Sequence, residues 1–220
     1  PLREWTKQNY KAILKRFYKW LNGGEDYPDK VKFIKLSLKE KDKLLPEELL
    51  TPKDVEKLAE ACTNPRDKAF ILTAYESGCR IGELLSLRIK HIQFDQYGAV
   101  LMVKGKTGMR RVRVIASSPA LATWLEHHPS RLDPEQPLWI GIGSNQGNKV
   151  EYPGIRKMLR NLAERVGVRK RVNPHVFRHS RATYLASKLT EAQMKEYFGW
   201  TRDSKMASVY VHLSGRDVDT

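Results

Sequence analysis

The residues with the most chemical potential stand in Pro174-His175-Val176-Phe177-Arg178-His179. Asn173 and Pro174 put His175 at the start of a helix, and the three-residue spacing sets His175 and Arg178 on one face. A helix N-terminus carries partial positive charge, so a His and an Arg there make an anion site. The plainer alternative is a well-capped helix that shows solvent a few basic groups. Zinc held by His175 and His179 is not expected, because no Glu lies between them and further ligands are wanting. His91, His127, His128 and His212 are scattered, so no metal site is expected elsewhere.

A second constellation is Gly78-Cys79-Arg80-Ile81-Gly82-Glu83-Leu84. An arginine among apolar neighbours with an acid one turn on is either a structural ion pair or a guanidinium held to grip an oxyanion. Lys106, in Gly105-Lys106-Thr107-Gly108, sits at a hairpin tip. It is either a soluble turn or a mobile proton donor reaching a site from a sheet. Tyr197-Phe198-Gly199-Trp200 is followed ten positions after Trp200 by Tyr210, in Ser208-Val209-Tyr210-Val211-His212. Aromatic residues at that density read first as core.

These groups need elements to carry them, and the 220-residue chain is long enough to bury a core. Its 40 Lys and Arg against 25 Asp and Glu give a net charge of +15, while 40% apolar residues exclude a disordered basic tail. A folded, strongly basic chain points to a polyanion as partner. No apolar run reaches the length of about 18 residues that a membrane span needs, and no secretory leader opens the chain. The expectation is a cytoplasmic protein without membrane contact. The chain starts at Pro1 without an initiator Met, as a fragment or processed form would. Cys62 and Cys79 lack a paired spacing and read as reduced core thiols.

Residues 6–22 carry Tyr10, Ile13, Leu14, Phe17, Tyr18 and Leu21 on one helical stripe, stopped by Gly23-Gly24. One helix cannot bury its own stripe, so it must dock elsewhere or end a larger domain. Residues 25–46, with Pro28, Pro46 and six lysines between them, read as a basic linker. Thr51-Pro52-Lys53-Asp54 starts a globular domain with a Thr cap and Pro at the first helical position. Helices are expected at about 52–62, 65–77 and 81–87, then short β runs at 91–94, 99–104 and 110–115. Helices return at 118–127, 153–166, 174–187, 190–198 and 204–210, with Thr190 and Gln193 forming a second capping box. The predicted fold class is α+β, mainly helical, with a small antiparallel meander.

Taken in order, Arg-x-x-Glu-Leu, a hairpin Gly-Lys, His-x-x-Arg-His, Gly-Trp and Tyr-x-His resemble the boxes of the tyrosine recombinase, or phage-type integrase, family. The resemblance covers about residues 46–215, and the stretch His212 to Asp219 is similar to archaeal members. It implies a division into residues 1–24, the last helix of a partial core-binding domain, a linker at 25–46 and a catalytic domain at 47–220. Many members have His where this chain has Trp200, which offers one indole donor and packing but no acid or base.

The resemblance further implies a site-specific recombinase that cleaves and rejoins DNA through a 3′-phosphotyrosyl intermediate. Arg80 and Arg178 would fork onto the scissile phosphate, and Tyr210 would attack with His175 as helper. Lys106 would protonate the leaving 5′ oxygen, and Trp200 would pack the pocket. Glu83 and His179 would stand one layer behind. Lys39, Lys41, Lys43, Arg110 and Arg111 are counted as DNA contacts. No cofactor is implied, and four identical subunits would act on two duplexes. A type IB topoisomerase would use much the same residues, and a non-enzymatic basic DNA-binding protein would explain the charge alone. Three other tyrosines compete with Tyr210: Tyr152 in a loop, Tyr184 expected to point into packing, and Tyr197 expected in the core.

Overall fold

The computed structural model describes residue 2 and residues 4–36, 46–143 and 146–213, and the chain divides into two units, Pro1–Leu45 and Pro46–Thr220. In the first, helix α1 (Glu4–Leu21) buries none of its residues, and Tyr10, Ile13, Leu14, Phe17 and Trp20 are exposed. A four-residue helix α2 (Asp29–Lys32), with Val31 buried, lies in the stretch read as linker. Lys15 ties the two parts together by donating to the Ile34 carbonyl and standing over the Tyr27 ring. Lys39, Lys41 and Lys43 lie outside the described residues, as does the archaeal-like tail beyond Leu213.

The second unit opens with a short 3-10 turn and then α3 (Pro52–Glu60), where Thr51 and Asp54 form the expected reciprocal cap. Asn64 caps α4 (Pro65–Ser77), and α5 (Ile81–Leu85) follows after Gly78 turns the chain in the left-handed conformation. Three antiparallel strands come next, β1 (Ile92–Asp95), β2 (Gly98–Gly105) and β3 (Gly108–Val114), in spatial order β1-β2-β3. Pairing of Gly105 with Gly108 leaves Lys106 and Thr107 as a two-residue turn. Along the sheet, Ala99, Leu101, Val103, Val112 and Val114 face the core and are fully buried. The remaining helices are α6 (Ser118–Glu126), α7 (Tyr152–Arg165), α8 (Pro174–Ala186), α9 (Glu191–Phe198) and α10 (Met206–Leu213). The expected elements are all present, with ends within three residues of the sequence reading.

Two apolar clusters hold this unit together. The larger joins α3, α4, α6, α7 and the first turn of α8 to the inner sheet face, with Trp124, Trp139, Phe70 and Phe177 almost fully buried. The smaller joins the second half of α8 to α9 and α10 through Ala182, Leu185, Ala186, Met194, Phe198, Ala207 and Tyr210. Burying one large apolar side chain contributes about 1.5–3 kcal/mol, so the larger cluster carries most of the stability. Glu76 on α4 holds the turn between β3 and α6 by accepting from the backbone N–H groups of Ile115, Ala116 and Ser117. Both cysteines are free, as read from the sequence.

Candidate functional site

Arg178 lies one turn into α8, whose start is fixed by Pro174 and by Asn173 accepting from the N–H groups of His175 and Val176. The residue is only 8% exposed, and its guanidinium donates to two carbonyls, Gly78 O and Phe198 O, each at 2.8 Å. These carbonyls end α4 and α9, where the helix dipole is negative. Phe198 and Trp200 lie against its face at 5.1 and 5.6 Å. Burial, reinforced by the nearby charge of Arg80, lowers the Arg178 pKa to about 10, so it stays charged at neutral pH.

Arg80 is the residue before α5 and is more open, with its side chain 34% exposed. Its Nη1 donates to Glu83 Oε1 at 2.9 Å, and both terminal nitrogens reach the Gly199 carbonyl at 3.4 Å. Glu83 is buried and accepts from the Arg80 backbone N–H. Burial alone would raise its pKa, but the hydrogen bonds from Arg110 and Arg80 hold the carboxyl below its usual range. Lys106 is exposed at the hairpin tip, and its neighbour Thr107 donates to Gly199 O at 3.5 Å. The residues from α5, the hairpin and the end of α9 therefore converge on Gly199.

Tyr210 is 3% exposed, and its ring stacks on Trp200 with centroids 5.5 Å apart and planes 2° from parallel. Trp200 stacks in turn on Phe198. The Tyr210 hydroxyl is hydrogen-bonded to His179 Nδ1. Burial pushes the phenol pKa up to about 12, against a smaller opposite effect from Arg178. Burial also lowers the His179 pKa, with His175 and Arg178 adding to it. A neutral imidazole beside a protonated phenol lets the O–H donate to Nδ1.

The structure thus gathers Arg80, Glu83, Arg178, His179, Trp200 and Tyr210, with Lys106 on the neighbouring turn. His175, expected as the helper of Tyr210, is exposed on the first turn of α8, and His179 is the imidazole on the hydroxyl. Arg110, expected on DNA, is turned inward: its side chain is 11% exposed and forks onto Glu83. Arg111 faces outward and is exposed. The alternation of β3 carried the signal, since Arg110 is in phase with the inward Val112 and Val114. Tyr184, expected in packing, is instead 41% exposed, with Arg181 and Lys188 over its ring, because it lies on the outer side of α8. Tyr197 is packed and donates to Glu76 O at 2.6 Å. Among the described residues, no group of three or more His, Cys, Asp or Glu could hold a metal ion, and no helix is long and apolar enough to cross a membrane.

The His179 environment sets a pH response. Its pKa is lowered in the packed state, so α8–α10 docking has full strength above the ordinary imidazole value of about 6.5 and weakens as pH falls through and below it. Limited proteolysis at Lys205 is expected to rise several-fold between about pH 8 and about pH 5.5, on either side of that value. His179→Gln keeps an acceptor but does not titrate, and its cleavage should stay level over the same range.

Residues 48–216 match the phage integrase family. Tyrosine recombinase XerA of Pyrococcus horikoshii is 30% identical over 173 residues, which are 78% of this chain and 56% of that protein. Tyrosine recombinase XerC of Chromobacterium violaceum is 28% identical over 177 residues, or 78% of this chain and 57% of that one. The chain spans just over half the length of these relatives. In fold it is similar to the XerH site-specific recombinase bound to palindromic difH substrate in a post-cleavage complex. The TM-score there is 0.75 at 21% identity, covering 96% of this chain and 65% of that one. A lambda integrase dimer bound to a COC′ core site gives 0.70 at 17%, covering 97% and 61%.

Proposed function

Since this chain belongs to the phage integrase family, we propose that its second unit is the catalytic domain of a site-specific DNA recombinase working through a 3′-phosphotyrosyl intermediate. The observation that carries the reading is Tyr210, held between His179 and Trp200 beside the Arg178 guanidinium. Arg178 uses two of its five N–H donors on carbonyls, which leaves the fork with hydrogens for a phosphate. Arg80 supplies the second grip. Together they stabilise the added charge of a pentacoordinate transition state.

In the reaction the Tyr210 oxygen attacks phosphorus, its proton passing to an imidazole, and the bond to the 5′ oxygen breaks. His179 is the imidazole on the hydroxyl here, and His175, exposed at the start of α8, would meet the phosphate. Lys106 gives its proton to the leaving 5′ oxygen. The phosphotyrosyl ester keeps the bond energy, so a 5′-hydroxyl from another strand reverses the step. The buried hydroxyl implies that α10 shifts when DNA is bound. Residues 1–24 are read as the end of a core-binding domain, and Lys39, Lys41, Lys43 and Arg111 as backbone contacts. Four subunits would act on two duplexes, in the cytoplasm.

Two arginines and a lysine supply the positive charge, so cleavage should need no divalent metal. Incubated with nicked suicide duplexes of candidate sites in excess EDTA, the protein is expected to give a covalent protein–DNA band as strong as without chelator. Loss of the band on chelation and its return with magnesium would overturn the mechanism.

A further inference from the structure

We infer that Arg110 is a positioning residue for the cleavage site, fixing the Glu83 carboxylate so that Arg80 is held in aim with its outer edge open to a phosphate. This rests on the reading of the second unit as a DNA-cleaving domain. Glu83 Oε2 accepts from Arg110 Nη2 and from the Arg80 backbone N–H, both at 2.8 Å. Glu83 Oε1 accepts from Arg110 Nη1 at 3.1 Å and Arg80 Nη1 at 2.9 Å. The third nitrogen of Arg110, Nε, donates to the Tyr197 carbonyl at 3.1 Å. Every nitrogen of Arg110 thus has a protein partner, and the side chain is 11% exposed against 34% for Arg80. The two arginines share one carboxylate, and only Arg80 can turn outward.

The surroundings make room for this arrangement. A Cβ at Gly105 would stand 2.6 Å from Glu83 Oε1, and one at Gly199 would stand 2.8 Å from Arg110 Nη1. The hairpin end and the end of α9 therefore close on the triad at the two positions without a side chain. Charge is the second consequence. An Arg80–Glu83 pair alone is neutral, whereas adding Arg110 leaves a net positive charge beside Arg178. Arg110 also links three segments that carry proposed site residues: β3 next to Lys106, the start of α5 with Arg80, and the end of α9 before Trp200. Burial opposes its charge, but the hydrogen bonds and charges of Glu83 and Cys79 together outweigh burial and keep it protonated.

The test compares Arg110→Met and Arg110→Lys with wild type on suicide duplexes at saturating DNA. Arg110→Met should cleave about 10²-fold more slowly, the scale of a misplaced catalytic geometry. Its DNA affinity and the slope of log K against log salt should match wild type, because a lost phosphate contact would change that slope by about 0.9. On a duplex with a neutral methylphosphonate at the scissile position, the deficit should shrink, since less charge needs stabilising; general structural damage would slow both substrates equally. Arg110→Lys keeps charge and bulk but cannot fork, and should also be slow, which covers the case in which Arg110→Met does not fold. A slope change of about 0.9, a wild-type rate, or equal deficits on both duplexes would overturn the inference. Absence of any adduct from wild type would instead refute the cleavage reading, and the salt slope would still decide whether Arg110 touches DNA.

Discussion

Tyr210→Phe is expected to bind duplex DNA as wild type does and to form no covalent adduct. The substitution removes one oxygen and keeps the ring that stacks on Trp200 and fills the smaller cluster. The fold should change little: one hydrogen bond to His179 is lost, a net effect of about 0.5–1.5 kcal/mol. The chemical effect should be complete, because among the described residues of the site no other group offers an equivalent nucleophile. Tyr197 is fixed by its bond to the Glu76 carbonyl, and Tyr184 lies outside the site under Arg181 and Lys188. Peptide mapping of the wild-type adduct should place the nucleotide on Tyr210. An active Tyr210→Phe protein, or a nucleotide found on Tyr197, would remove the basis of the proposed mechanism.

Arg178→Ala should lose both cleavage and stability, and Arg178→Lys should separate the two. Removing a donor aimed at the charge of a transition state slows reaction by about 10²–10³-fold. It also strands Gly78 O and Phe198 O in a buried place, and each buried carbonyl left unpaired costs about 1–3 kcal/mol. Relief of the desolvation that lowers the Arg178 pKa offsets part of this, so a net loss of about 2–4 kcal/mol is expected in urea unfolding. Lysine keeps a charge and can serve one carbonyl, yet cannot span two carbonyls and a phosphate. Arg178→Lys should therefore unfold closer to wild type while cleaving at least about 10²-fold more slowly. Wild-type cleavage by Arg178→Lys would mean that a point charge suffices and that the fork is structural only.

The helices and strands of the second unit were legible in the sequence because local signals and packing agreed. Thr51, Asn64, Asn173 and Thr190 all cap where their side chains predict, and Pro follows the first three at the first helical position. The expectation that the arginines, the hairpin lysine and Tyr210 belong to one site rests on residue types and order. Partnerships across the fold were not legible. Which imidazole meets Tyr210 depends on how α10 crosses α8, and His175 and His179 are one turn apart on the same helix. Arg110 reads as a DNA-contacting cation by charge, yet its strand phase turns it inward. Its period-2 alignment with Val112 and Val114 pointed inward, but no sequence pattern names Glu83 as the residue waiting there. The short helix at Asp29–Lys32 is not legible, because a Lys-rich stretch flanked by prolines carries little apolar periodicity.

The division of the interior into a large cluster and a small one has a consequence for how such a protein adapts. Regions with few buried apolar contacts open independently of global unfolding, and Tyr210 belongs to the small cluster, with Ala207 and Phe198. Substitutions that tighten the packing around Trp124, Trp139 and Phe70 are expected to raise the melting temperature without stiffening the segment that carries Tyr210, the proposed nucleophile. Larger side chains at Ala182, Ala186 or Ala207 would act on that segment directly. If Tyr210 is the nucleophile, heat tolerance and turnover would be set by different residues of one chain, and each could be adjusted while leaving the other unchanged.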